Sequence, residues 1–130
     1  MIPPPEWCAI ELLRDDPELA ALHLGRVSVE HLPGPVAVQV ALLPGGRSTS
    51  AWEWPATVQV DVWADDQITS GTLAALIRDR WPGQRREAGG ALVAQTWVVS
   101  NPMALVDPDS HLPRYMLTLG LLVVGDSDRD

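Results

Sequence analysis

Thr57-Val58-Gln59-Val60-Asp61-Val62-Trp63-Ala64 is the stretch that decides the fold class. Val58, Val60 and Val62 share one side of an extended chain, and Gln59, Asp61 and Trp63 share the other. This period of two belongs to a strand with one face in a core. Immediately downstream the period changes: Ile68, Leu73, Leu76, Ile77 and Trp81 recur at helical spacing, with Arg78, Asp79 and Arg80 between them, and Pro82-Gly83 ends the helix. Upstream, residues 26–32 and 36–42 alternate on either side of the turn Pro33-Gly34-Pro35 and read as two strands. Gly89-Gly90 leads a strand over 91–100, and 115–124 forms the last one.

The N-terminus supplies another helix. Pro3-Pro4-Pro5-Glu6 places prolines and an acid where a helix start tolerates a missing N–H and favours negative charge. Trp7, Ile10, Leu12 and Leu13 give it an apolar face. Pro17 interrupts it, Asp15 or Asp16 can cap a further turn through Leu19 and Leu22, and Gly25 stops the run. The order αβββαββ predicts one α+β domain over 1–130, with about five strands in a largely antiparallel or mixed sheet and two main helices packed on it. Segments 44–54 and 101–113 read as long loops, and 126–130 as a solvated tail.

Composition narrows the function. The chain has 130 residues, is 46% hydrophobic and 20% charged, and so can bury a core. Seventeen acids against nine bases, all arginine, leave a net charge of −8, which argues against a dedicated grip on nucleic-acid phosphates. The charge is uneven: residues 1–65 hold nine acids and three arginines, residues 66–130 eight acids and six arginines. A single cysteine, Cys8, excludes an internal disulfide framework and a multi-cysteine zinc site. Cys8 itself reads as a small buried apolar residue. No apolar run approaches the ~20 residues of a membrane span, and the N-terminus lacks the basic region of a signal peptide. The expectation is a soluble, intracellular protein.

Candidate chemistry is sparse. Asp107-Pro108-Asp109-Ser110-His111 is the densest cluster, and an extended chain would point its three ligands, Asp107, Asp109 and His111, one way, as a zinc or other divalent site would need. With no second His or Cys spaced nearby, the preferred reading is a proline-rich turn whose aspartates bond their own backbone. His23 and His31 read as residues at element ends. Ser48-Thr49-Ser50 lacks an adjacent base, and the glycines at 45 and 46 lack the spacing and lysine of a phosphate loop. No catalytic residue, cofactor site or metal site is assigned.

The tryptophans are more informative. Six of seven aromatic residues are Trp and none is Phe. Trp52 and Trp54 fall in a polar segment, and Trp63 lies on the polar side of its strand. They either fill a core that lacks Phe or form an interface, where Trp offers large area and a polar handle. Arg114, at the head of the last strand, reads as the partner of a carboxylate such as Asp107 or Asp109, or as a solvated arginine.

Val60-Asp61-Val62-Trp63-Ala64, then a helix and a glycine-led strand, then Asp107-Pro108-Asp109 and Pro113-Arg114-Tyr115, form an ordered set that resembles the tail terminators of long-tailed bacteriophages, also called tail completion or tail-to-head joining proteins. The resemblance runs over about residues 6–125 and is clearest over 56–124. It implies a structural protein without catalysis that caps the tail tube as a hexameric ring and stops its polymerisation. The partners it implies are other copies of the chain, the major tail tube protein and a head–tail connector or stopper. Genomic DNA would pass through the ring without specific binding, and the protein would sit in the virion at the head–tail junction after assembly in the host cytoplasm. Trp52, Trp54, Trp63, Asp107, Asp109, Arg114 and Tyr115 are the candidate interface residues. A connector or stopper of the phage neck is the alternative within virions. A small metal-binding or enzymatic domain centred on residues 107–111 is the alternative of another class.

Overall fold

Two prolines and one aspartate set the N-terminal helices. In the computed structural model, which describes residues 2–45, 50–106 and 112–125, α1 spans Pro5–Asp15 and α2 spans Pro17–His23. Asp16 sits between them with an extended backbone, and its carboxylate accepts from the N–H groups of Glu18 at 3.0 Å and Leu19 at 3.4 Å. The same carboxylate receives Arg80 Nε at 2.6 Å, which ties this corner to the end of α3. His23, buried, accepts the Gly25 N–H on Nδ1 and so must donate from Nε2 to the Leu13 carbonyl, both at 2.9 Å. That bond satisfies a carbonyl of the last turn of α1.

The strands are β1 (Val27–Ser28), β2 (Val36–Leu42), β3 (Glu53–Ala64), β4 (Arg86–Ala88), β5 (Ala91–Val106) and β6 (Pro113–Val124), with α3 (Gln67–Arg80) between β3 and β4. They form one sheet in the order β1-β2-β3-β6-β5-β4, antiparallel except for the parallel β1–β2 pair. The fold class is the expected α+β, with six strands instead of about five and with three helices.

The valines alternate as expected. Val38, Val40, Val58, Val60, Val62, Leu117, Leu119, Leu121 and Val123 are buried on one sheet face and form the core with Leu13, Leu73, Ile77 and Trp81 from the helices. Trp81 ends α3 fully inside this layer and donates Nε1 to the Gly120 carbonyl at 3.0 Å. Truncating a ring in such a place costs ~3–5 kcal/mol. Asp66 caps α3 by accepting from Thr69 N and Oγ1 at 2.7 and 2.8 Å. Trp7 and Ile68, expected on the apolar faces of their helices, are instead 57% and 81% exposed.

Four boundaries depart from expectation. The strand expected over 26–32 is only two residues long, because Arg26 donates Nε to the Val36 carbonyl at 2.7 Å and also reaches the Pro33 carbonyl. These bonds fold the following loop so that β1 runs parallel to β2. Glu53 and Trp54, expected in a loop, begin β3, where they pair with Val124 and Val123. Residues 101–106, also expected in a loop, continue β5 past Pro102 through register shifts between Val98 and Met103. A bulge absorbs the proline, whose missing N–H would break a regular ladder. β4 adds three residues, and its turn into β5 needs Gly89: φ is +62° there, and a Cβ would lie 2.7 Å from the Cys8 backbone nitrogen.

Candidate functional site

The three helices cover one face of the sheet, and the other face carries two of the residues that the sequence singles out, Trp63 and Arg114. Trp63, Asp61 and Gln59 of β3 stand there beside Arg114, Met116 and Thr118 of β6. Arg114 donates to Asp61 Oδ1 from Nε at 2.9 Å and from Nη2 at 2.7 Å. Gln59 Nε2 takes the other carboxylate oxygen at 2.9 Å. Asp61 is only 5% exposed, so each of its oxygens has a donor where water is largely excluded.

Beside this pair, Trp63 is only 7% exposed. His31 stacks on it with ring centroids 4.3 Å apart and planes 22° apart. The Arg114 guanidinium lies 5.3 Å from the ring centroid, within cation–π range. The Trp63 indole N–H is buried without a hydrogen-bond partner among the described residues. The structure therefore gives Arg114 to Asp61 in place of the expected Asp107 or Asp109, which with His111 lie outside the described residues.

The other candidates separate. Trp54 is half-buried and packs against the core, whereas Trp52, in the turn just before β3, is 45% exposed. Tyr115 faces the helices, packs against the core near Gly71, and its hydroxyl accepts from Gln67 Nε2 at 3.4 Å. The five nominated residues that are described thus do not form one site: Trp63 and Arg114 meet, Trp54 and Tyr115 serve the core, and Trp52 stands apart.

A feature unforeseen in the sequence lies on β5. β4 pairs with it only over Ala91–Val93, and the 81–84 segment bonds to Thr96. From 97 to 106 no strand pairs with its outer edge among the described residues. Trp97, Val99, Met103 and Val106 all lie on this length, and they are 37%, 52%, 53% and 75% exposed. Trp97 crosses the strand to lie over Gly120, where a methyl group would overlap the indole. The signal was present: Ala91–Val106 contains no charged residue. Exposed edges are normally guarded by charge, so an uncharged one marks a surface that is covered in use.

Among the described residues no three His, Cys, Asp or Glu side chains converge as metal ligands, and no helix is long and apolar enough to cross a membrane. The fold and this surface define a class: a small α+β domain whose sheet has an open edge and a face without helices. No protein-family model and no curated protein matches the chain. Among solved structures it is similar to a chain of the virion of a native gene transfer agent particle, with 25% identity and a TM-score of 0.63. The alignment covers 87% of this chain and 89% of that one.

Proposed function

We infer that the protein is a structural component of a phage-like virion, and within it a tail terminator. The observation that carries the first part is the likeness to a gene transfer agent virion chain, which runs nearly the full length of both proteins. The finer part rests on the resemblance over 56–124 and on physical fit. A tube of stacked identical rings always ends in another acceptor surface, so its growth stops only when a subunit matches the tube on one face and differs on the other. In this reading six copies form the ring, one axial face meets the tail tube and the other meets the connector or stopper. Net charge of −8 per copy keeps DNA from adhering as it passes. The role needs no catalysis and no cofactor, and it places the protein in the virion at the head–tail junction.

A density map of intact particles tests this. The reading expects six copies of this fold between the last tail-tube ring and the connector. The same fold on the head side of that junction would make it a stopper, and its absence from the particle would remove the virion reading altogether.

A further inference from the structure

We propose that the uncharged outer edge of β5, residues 97–106, is an assembly interface that pairs with the β1–β2 edge of a second copy of this chain. The proposal rests on the virion reading only in taking the assembled particle as the place where the contact forms.

Three observations carry it. First, an open edge offers a row of backbone donors and acceptors, and here Trp97, Val99 and Met103 add apolar area with no charge to repel an incoming strand. Secondly, the sheet has another open edge on its far side. β1 covers β2 only at Val38 and Gln39, which leaves Val40–Leu42 without an outer strand among the described residues. Thirdly, the two edges differ in charge. Arg85 lines a surface cavity of about 370 Å³ with Gln95 and Trp97 beside the β5 edge, and it makes no ion pair among the described residues. Glu30, exposed just beyond β1, makes none either.

These facts select the occupant. Pairing β5 with β5 about a two-fold axis would leave the β1–β2 edge of both copies open and would bring no Glu30 to Arg85. Pairing β5 with the β1–β2 edge sets Arg85 toward Glu30. That contact is head-to-tail, leaves one edge of each kind free, and so repeats until rotation closes a ring.

The experiment uses particles carrying Ser100→Cys, an exposed position on this edge. Cys8 is fully buried, so a benzophenone maleimide labels the new thiol selectively, and unsubstituted particles serve as the control. Irradiation should give covalent dimers and higher multimers of this chain, with the joined peptide inside residues 26–42. Adducts to a different virion protein, adducts joining β5 to β5, or no adduct would overturn the proposal. A charge exchange adds a second readout. Arg85→Glu should lower multimer yield roughly fivefold, the scale of an exposed ion pair, and Glu30→Arg added to it should restore the yield. No loss with the first variant, or no rescue with the second, contradicts the proposed pairing. Capped tails with adducts to another protein would overturn this interface while leaving the terminator reading intact. Self-adducts in particles whose tails need no terminator would do the reverse.

Discussion

Arg114 holds Asp61 across the β3–β6 pair, with Nη2 2.7 Å from Oδ1 and Nε 2.9 Å from the same atom. The pair is asymmetric, since the Asp61 side chain is 7% exposed and that of Arg114 23%. Removing the cation leaves a buried carboxylate with only Gln59 as donor. Arg114→Ala should therefore cost about 2–3 kcal/mol, somewhat below the ~3–5 kcal/mol of a fully buried pair that loses one partner. Arg114→Lys should recover only part of this, because an ammonium restores the charge but not the paired Nε and Nη2 donors. Urea denaturation of the three proteins measures it, and an Ala variant within 0.5 kcal/mol of wild type, about the scatter of surface substitutions, would contradict the role.

The two tryptophans of the 50–54 segment should respond differently. Trp54 packs against the core, so Trp54→Ala should lower stability by roughly 2–3 kcal/mol. Trp52 is 45% exposed, so Trp52→Ala should leave stability within about 0.5 kcal/mol. In the terminator reading it should still reduce the yield of joined particles, since exposed Trp is a common anchor at interfaces. Denaturation of the purified proteins and particle counts together check both halves. Equal effects of the two substitutions on stability would be the wrong result.

Gly120→Ala should disturb Trp97 specifically. A methyl at residue 120 occupies the place of the indole, which must swing off the sheet. A cost of about 1–3 kcal/mol follows from overpacking, with a change in Trp fluorescence that Trp97→Leu abolishes. An unchanged spectrum in Gly120→Ala would refute the packing.

Acid should loosen the α2–α3 corner. Burial pushes the Asp16 carboxyl up, but hydrogen bonds from Arg80 and from the Leu19 and Glu18 amides outweigh it, and its pKa falls below the usual carboxylate range. The folded pKa lies below the unfolded one. The stabilisation is thus fully present above about pH 4, the ordinary aspartate value, and is lost as pH falls through the folded value. Asp16→Asn keeps a capping side chain but lacks this charge. It should be less stable than wild type at pH 7, with the difference shrinking as pH is lowered below 4. A difference that stays constant across this range would show that the pair with Arg80 contributes nothing.

The sheet was legible in long alternating apolar runs such as Val58, Val60 and Val62, whereas the alternation over 26–32 yielded only Val27–Ser28 because Arg26 bonds fold the chain after it. Proline misled at residue 102, since a bulge that absorbs it depends on the neighbouring strand and leaves no local mark. Asp61 drew no reading of its own from the sequence, because its burial depends on Arg114, 53 positions away. His31 was read as an element end because its stacking partner, Trp63 of β3, lies 32 positions away, whereas His31 itself sits in the loop between β1 and β2. Arg114 read either as the partner of a carboxylate or as solvated, and the partner it has, Asp61, lies too far away in sequence for spacing to name it.

Electron microscopy of particles assembled without the protein tests the central claim most directly. The terminator reading predicts overlong or unattached tails beside filled, tailless heads, with normal particles restored when the full chain is supplied. Joined particles with tails of normal length in its absence would contradict it.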